Sequence, residues 1–181
     1  RSVADGSYNF SVTGDTIYGY QIRDSSPVVI DNSRPTVTLN VPGIVRSAFS
    51  AAFTATDSYL ALSSGNFTLG TLVQAASCSA QGSSATCTAT ISSVSLPDGL
   101  YSLAAAISDL AGNAAAASKS VTVDNTPPAF SSMKINQTTG LPPSTIGFTV
   151  NINDSVSGMN SSKVTLKIPN AQLTLTLAEV S

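Results

Sequence analysis

The sequence repeats itself with a period of 93 residues. The motif DGSY, which begins at Asp5, returns 93 positions later as DGLY at Asp98. The segment VVIDNSRP at 28–35 returns at the same shift as VTVDNTPP at 121–128. Because both motifs keep one shift with no insertion between them, the chain is predicted to contain tandem copies of one structural unit.

This period divides the chain into three parts. Residues 36–128 make one whole repeat, 1–35 correspond to the C-terminal part of a repeat, and 129–181 correspond to the first part of another. Asp154 resembles Asp57 in context at a shift of 97, so the third copy is expected to carry a few extra residues. The chain is then either a window on a longer array or a mature subunit whose two partial pieces nearly make one domain.

The whole repeat has the pattern of short strands. Apolar residues alternate with threonine and asparagine, as Val37, Leu39 and Val41 do, and this period of two marks strands with one buried side. The predicted strands are 36–41, 48–56, 66–73, 75–79, 85–93, 101–108 and 118–124. With no convincing amphipathic helix, such strands predict an all-β fold of tandem immunoglobulin-like β-sandwich domains, one complete and two partial.

The alanine-rich segment 111–117 is the main ambiguity in this pattern. Alanine favours helix, but Gly112 and Asn113 interrupt the start of the segment and β-branched residues follow it. We interpret the segment as a turn that enters the last strand, with a short helix as the alternative.

Composition argues against several classes of function. Charged residues are only 10% of the chain and the net charge is −2, which predicts neither nucleic-acid binding nor attraction to anionic membranes. The charge-free stretch between Asp57 and Asp98 is interrupted by polar residues throughout, so membrane insertion is not expected. The chain has no histidine and no phosphate-loop or dinucleotide motif, so we expect no enzyme activity.

The two cysteines lie nine positions apart and flank a predicted turn. Cys78 and Cys87 enclose Gly82 and several serines, which favours a hairpin with the two thiols facing each other. We predict a disulfide, which indicates an oxidising, extracellular or cell-surface location; two unpaired buried thiols are the alternative. Two thiolates without histidine do not complete a zinc site.

The end of the whole repeat resembles a known family. The segment DGLYSLAAAISDLAGN at 98–113, followed by VTVDNTPP at 121–128, resembles the Ig-like tandem repeats of large bacterial and archaeal cell-surface adhesin and filament proteins. The resemblance is weaker over 5–35, where DTIYGY replaces the DxAGN element, and it extends to DSVSG at 154–158. It implies an Ig-like sandwich exposed at the cell surface.

The same resemblance implies calcium at interdomain joints, where aspartates of such repeats bind the ion and stiffen the rod. Calcium prefers oxygen ligands, which Asp and Asn supply. The candidate ligands are Asp109 and Asp124 first, then Asp57 and Asn113. In the alternative interpretation, these side chains only cap their own turns.

Two further patterns concern the surface and the core. Sequons for N-glycosylation occur at Asn9, Asn66, Asn136, Asn153 and Asn160; chance explains several in a Ser/Thr-rich chain, but a charge-poor surface favours glycans. Neighbouring subunits are the other explanation for that surface. Tyr8 and Tyr101 hold equivalent positions; the family resemblance implies a structural tyrosine, with its ring in the core and its hydroxyl bonded to nearby backbone, and carbohydrate stacking is the alternative.

Three functions are compatible with these features. The first is a non-catalytic structural repeat of an extracellular adhesin or filament, which acts as a rigid spacer and assembly module beside neighbouring Ig-like domains. The second is a self-assembling filament, sheath or surface-layer subunit whose split Ig domain is completed by strands from a neighbouring copy. The third, a carbohydrate-binding module of a secreted enzyme, is the weakest, because the chain has no tryptophan and only 6% aromatic residues.

Overall fold

The computed structural model describes residues 3–136, 147–158, 165–168 and 173–176. Strands dominate this part of the chain, with one short 3-10 helix at Leu62–Ser64. The strands are β1 (Gly6–Asp15), β2 (Gln21–Ile30), β3 (Thr36–Asn40), β4 (Ile44–Val45), β5 (Ala48–Thr56), β6 (Asn66–Leu69), β7 (Leu72–Ala75), β8 (Ser77–Gln81), β9 (Ser84–Ser92), β10 (Gly99–Ser108), β11 (Ala114–Val123), β12 (Ala129–Ile135), β13 (Phe148–Asn153), β14 (Thr165–Ile168) and β15 (Leu173–Thr176). No helix among the described residues is long and apolar enough to span a bilayer.

The whole repeat folds into two sheets packed face to face. One sheet has the strand order β3-β5-β9-β8, and the other has the order β4-β11-β10-β6-β7. All these pairings are antiparallel except the short contact of β4 with β11, which is parallel. The all-β, Ig-like sandwich predicted from the alternating pattern is therefore the fold of this segment.

The core lies between the two sheets and uses the alternating apolar residues. Phe53 and Phe67 meet edge to face with ring centroids 5.3 Å apart, one ring from each sheet. Leu103, Ile107 and Val121 pack into the same cluster and are at most 2% exposed. Each such side chain contributes about 1.5–3 kcal/mol of burial free energy, so this face of β10 and β11 is a main source of stability.

Three local details differ from the sequence prediction. The segment 66–73 is not one strand, because Gly70 with φ of 57° turns the chain between β6 and β7. The two-residue strand β4 was not predicted, since its pairing with β11 is non-local. The segment 111–117 is mostly strand: only 109–113 form the turn, and pairing of Ala114 with Ser108 overrides the helical preference of alanine.

The repeat period also appears in the pairing of strands. β1 pairs with β2 from Gly6↔Ile30 to Asp15↔Gln21, and β10 pairs with β11 from Gly99↔Val123 to Ser108↔Ala114. Every partner in the first hairpin is 93 residues before its counterpart in the second. The two hairpins are therefore the same structural unit in two copies.

The segment after the sandwich repeats its opening strands. β12 pairs with β13 as β3 pairs with β5, so Phe130↔Ile152 corresponds to Val37↔Ala55. An irregularity between Phe130 and Ser132 inserts one residue into β12 and accounts for part of the larger shift. The assignment of 1–35 and 129–181 to neighbouring repeats stays a prediction that this pairing supports.

The predicted disulfide and the predicted tyrosine contacts are both present. Cys78 and Cys87 are bonded across the β8–β9 hairpin, where they are direct cross-strand partners. The hydroxyl of Tyr101 donates to the Pro97 carbonyl at 2.9 Å, and that of Tyr8 donates to the Ala4 carbonyl at the same distance. The Tyr101 ring packs against the core, whereas Tyr8 is 38% exposed.

Candidate metal centre at the joint between repeats

Three carboxylates converge where the first hairpin meets the sandwich. Asp31, Asp57 and Asp109 each follow directly on the end of a strand, namely β2, β5 and β10. Each contributes an oxygen that lies within 4.8 Å of the other two. Asp109 is buried and the other two are half-buried, so the cluster is shielded from solvent on the side of the sandwich.

Asn113 holds this cluster together. Its side-chain Nδ2 donates to Oδ2 of Asp109 at 2.8 Å and to the backbone carbonyl of Asp31 at 3.0 Å. Its backbone N–H donates to Oδ1 of Asp109 at 2.8 Å. One asparagine thus bonds both to the whole repeat and to the preceding hairpin, and it fixes the orientation of the Asp109 carboxylate.

The Asp109 carboxylate is held ionised. Burial pushes its pKa upward, but hydrogen bonds from the Asn113 side chain and from the backbone N–H groups of residues 111–113 outweigh burial. The pKa of Asp109 therefore lies below its usual range. A carboxylate that stays charged while buried is suited to bind a cation.

Asp5 borders the cluster on a cavity of about 300 Å³ that Asp31 and Asp57 also line. Its carboxylate accepts hydrogen bonds from the Ser33 hydroxyl at 2.6 Å and from the Asn32 backbone N–H at 2.7 Å. These bonds, the Ser33 hydroxyl first, lower the pKa of Asp5. The cavity is thus lined by negative charge at neutral pH.

The same hydrogen bonds recur at the far end of the sandwich. The Thr126 hydroxyl and the Asn125 backbone N–H donate to Asp98, as Ser33 and Asn32 donate to Asp5. These bonds lower the pKa of Asp98, although the charge of Asp154 raises it. The same hydrogen-bonded arrangement therefore occurs at both joints.

Aspartates also occupy matching places at the two joints. Asp124 is the counterpart of Asp31, and each accepts a hydrogen bond at 3.1 Å from the backbone N–H two residues later. Asp154 is the counterpart of Asp57, and each accepts a hydrogen bond from the backbone N–H two residues on.

The first joint fits the ligand preferences of calcium. Calcium binds carboxylate and carbonyl oxygens at about 2.3–2.6 Å, so two of its ligands lie at most about 5 Å apart. The spacing of the Asp31, Asp57 and Asp109 oxygens, within 4.8 Å, meets this limit. These three residues would hold the ion, and Asn113 would orient one of them, because its Nδ2 donates to Oδ2 of Asp109.

The structure places the four predicted ligands at two locations. Asp57 and Asp109 come together at the first joint with Asn113, whose amide serves as a hydrogen-bond donor. Asp124 lies at the second joint, 7% exposed, and does not belong to that cluster. Sequence reasoning missed Asp31, although its position 93 residues before Asp124 was a sufficient signal.

The predicted glycosylation sites differ in accessibility. Asn9 and Asn153 are exposed on strands, and Asn136 is exposed next to β12. Asn66 is half-buried, and its Nδ2, the atom that carries a glycan, donates to the Ser64 carbonyl at 3.1 Å. Asn160 lies outside the described residues.

Sheet order and core define the class of protein: the chain is an all-β protein built on an Ig-like sandwich. No family model and no curated protein matches the sequence. Among solved structures, the chain is similar to a crystal structure of the ICAM-5 D1–D4 ectodomain fragment, with 16% identity and a TM-score of 0.46. The match covers 93% of this chain and 54% of that one, so the chain spans about half the length of that structure.

Proposed function

We propose that this chain is a non-catalytic structural repeat of an extracellular surface adhesin or filament, which acts as a rigid spacer and assembly module. The observation that carries the proposal is the recurrence of one joint at a shift of 93 residues. A structure repeated at domain ends serves to connect domains, because each copy sets the angle between two neighbours.

The contacts at the joint support rigidity. The segment between β2 and β3 has only five residues, 31–35, and it ends in Pro35, which restricts its backbone. Asn113 donates to the Asp31 carbonyl and so fastens this segment to the sandwich. A short, hydrogen-bonded connection of this kind transmits orientation, unlike a Gly/Ser-rich linker.

Calcium at the first joint is part of the proposal. Three like charges in one place repel each other, and a divalent cation between them relieves that repulsion while tying β2, β5 and β10 together. The ion would therefore stiffen the connection between the first hairpin and the sandwich.

Calcium titration of the whole chain tests this role. We expect calcium to raise the melting temperature, since an ion that binds only the folded chain stabilises it by about 2.7 kcal/mol at a hundredfold excess over Kd. The shift should disappear in Asp57→Asn and persist in the control Asp24→Asn, a charge in the middle of β2. Equal shifts in both variants, or none in the unmodified chain, would count against a calcium joint.

The extracellular location rests on the disulfide, which forms in oxidising compartments. Antibodies against the sandwich are expected to label intact, unpermeabilised source cells. Labelling only after permeabilisation would contradict a surface role. Mass spectrometry of the native protein tests for glycans on the exposed Asn9, Asn136 and Asn153.

A separate observation favours a second function. The hairpin β1–β2 corresponds to the last two strands of the whole repeat, β10 and β11, whereas β12 and β13 correspond to β3 and β5 near its beginning. In this function the chain is a self-assembling filament, sheath or surface-layer subunit whose neighbouring copies complete each other's Ig domains. Electron microscopy of the purified chain tests it, with filaments as the expected result and single particles at all concentrations as the contrary one.

A further inference from the structure

The first hairpin carries an apolar face that nothing among the described residues covers. Phe10 and Val12 project from one side of β1 and are 65% and 67% exposed. Their counterparts in the whole repeat, Leu103 and Ala105, are completely buried. In the described chain β1 and β2 pair only with each other.

Strands β12, β13 and β14 line an apolar groove. A cavity of about 240 Å³ is lined by Phe130, Met133, Val150 and Leu166, among others. Phe130 is 76% exposed and Met133 is 59% exposed. Through the pairing of β12 with β13, Phe130 corresponds to Val37 of the whole repeat, and Val150 corresponds to Phe53.

The whole repeat shows how these two surfaces fit together. There, β3 contacts both β10 and β11, and Phe53 lies in one core cluster with Leu103 and Val121. β12 repeats β3, and the β1–β2 hairpin repeats β10–β11 in identical register. The face on Phe10 and the groove around Val150 therefore repeat the two halves of a known interface.

The two surfaces lie at opposite ends of the sandwich. The hairpin joins the sandwich beside Asp109, just after the end of β10, whereas β12 leaves it beside Asp98, just before the start of β10. β10 has ten residues and spans about 33 Å. Because the sandwich separates them, the hairpin and groove of one chain are poorly placed to close on each other, and a second copy is the fitting occupant.

We propose that copies of this chain associate head to tail, with the Phe10–Val12 face of one copy docked in the Phe130–Val150 groove of the next. This inference rests on the second proposed function, in which neighbouring copies complete each other's sandwiches. The contact is heterologous, so each copy retains one free face and one free groove, and association continues into a linear polymer.

Sedimentation velocity of the full 181-residue chain tests the inference. The unmodified chain is expected to show a mass that increases with concentration. Phe10→Asp places a carboxylate in the proposed contact and should weaken association by at least about tenfold. Val150→Asp should do the same from the groove side, and Phe10→Ser provides a milder change.

The matched control is Val73→Asp on β7. Val73 is 72% exposed, like Phe10, but it lies on neither proposed surface. The mass of the Val73→Asp variant should increase with concentration as that of the unmodified chain does. Circular dichroism and denaturation of each variant verify that the sandwich remains folded.

Mixing the two defective variants gives the sharpest result. Phe10→Asp retains a working groove and Val150→Asp retains a working face, so each alone should be monomeric and the mixture should stop at a one-to-one dimer. If both variants polymerised as the unmodified chain does, this interface would be wrong, but the self-assembling role would still stand. An unmodified chain that stays monomeric, or a mixture that forms no dimer, would overturn the inference. Neither result would bear on the proposed calcium-bound spacer, which the calcium titration tests.

Discussion

Phe10 and Leu103 occupy equivalent positions 93 residues apart, yet Leu103 is completely buried and Phe10 is 65% exposed. Both lie in the same register of a β-hairpin, opposite Ser26 and Lys119 respectively. The difference comes from the second sheet: Leu103 lies in one core cluster with Phe53 of the facing sheet, whereas the described chain offers Phe10 no such partner. Burial in this fold is thus a property of the pair of sheets rather than of one hairpin.

This relationship predicts unequal costs of truncation. Leu103→Ala removes packed methyl groups and should lower the free energy of unfolding by about 2–5 kcal/mol. Phe10→Ala should cost less than about 0.5 kcal/mol in dilute, monomeric protein. Urea denaturation of both variants measures the difference. Similar losses for the two would show that the hairpin is packed within its own chain.

Asn125 should be a stability determinant of the sandwich. Its side chain accepts from the Ser47 backbone N–H at 2.9 Å and donates to the Ser93 and Leu96 carbonyls at 3.0 and 3.2 Å. Asn125→Ala removes the acceptor of the Ser47 N–H and one donor from each of the two carbonyls, of which that of Ser93 keeps the Leu96 N–H, and it should cost about 2–3 kcal/mol.

The control is its counterpart Asn32, an exposed residue whose side chain bonds, among the described residues, only to Val3 and Asp5. Asn32→Ala should cost less than about 1 kcal/mol in the same denaturation experiment. If the two substitutions had equal effects, the three-way contact of Asn125 would not be the cause of its stabilising role.

The Cys78–Cys87 disulfide should stabilise the sandwich modestly. It closes a short loop with a sequence separation of 9, for which restriction of the unfolded chain contributes about 2–3 kcal/mol. The double variant with alanine at both positions should unfold at lower denaturant concentration, and reductant should affect only the unmodified protein. A reductant effect of equal size on the variant would show that the disulfide is not responsible.

Stability should decrease in acid because of the joint carboxylates. The Thr126 hydroxyl and the Asn125 N–H lower the pKa of Asp98 in the folded chain. A lowered folded pKa adds stability that is present above the unfolded carboxyl pKa of about 4, and this stability is lost as the pH falls towards the folded value.

Thr126→Val removes the hydroxyl donor that lowers this pKa most. Between about pH 5 and pH 2, the stability of the variant should therefore decrease less steeply than that of the unmodified chain. Thr90→Val, at an exposed position on β9, is the control and should follow the unmodified profile. Thermal melts across this pH range measure both slopes. An unchanged slope in Thr126→Val would contradict the assignment.

The strand pattern was predictable where it depends on neighbours along the chain. The segment 48–56 has strand bounds identical to the prediction, because Phe49, Ala51 and Phe53 recur at every second position, and this spacing is a local signal. The β4 strand was not predictable, because Ile44–Val45 is a strand only through its pairing with β11.

The candidate site shows the same division. Asp57 and Asp109 were identified as turn aspartates at domain ends, and the turn chemistry that places them is local. Their convergence with Asp31, and the absence of Asp124 from the cluster, depends on which strand ends meet at one joint.

The amino-acid sequence alone determined the all-β class, the 93-residue period and the disulfide, since alternation, repetition and the spacing of the cysteines are visible in the order of residues. Only the tertiary structure decided that equivalent residues such as Phe10 and Leu103 have opposite environments, and that Asp31 rather than Asp124 joins Asp57 and Asp109. The reason is physical: burial and charge clustering arise between segments far apart in sequence, when two sheets or two repeats come into contact.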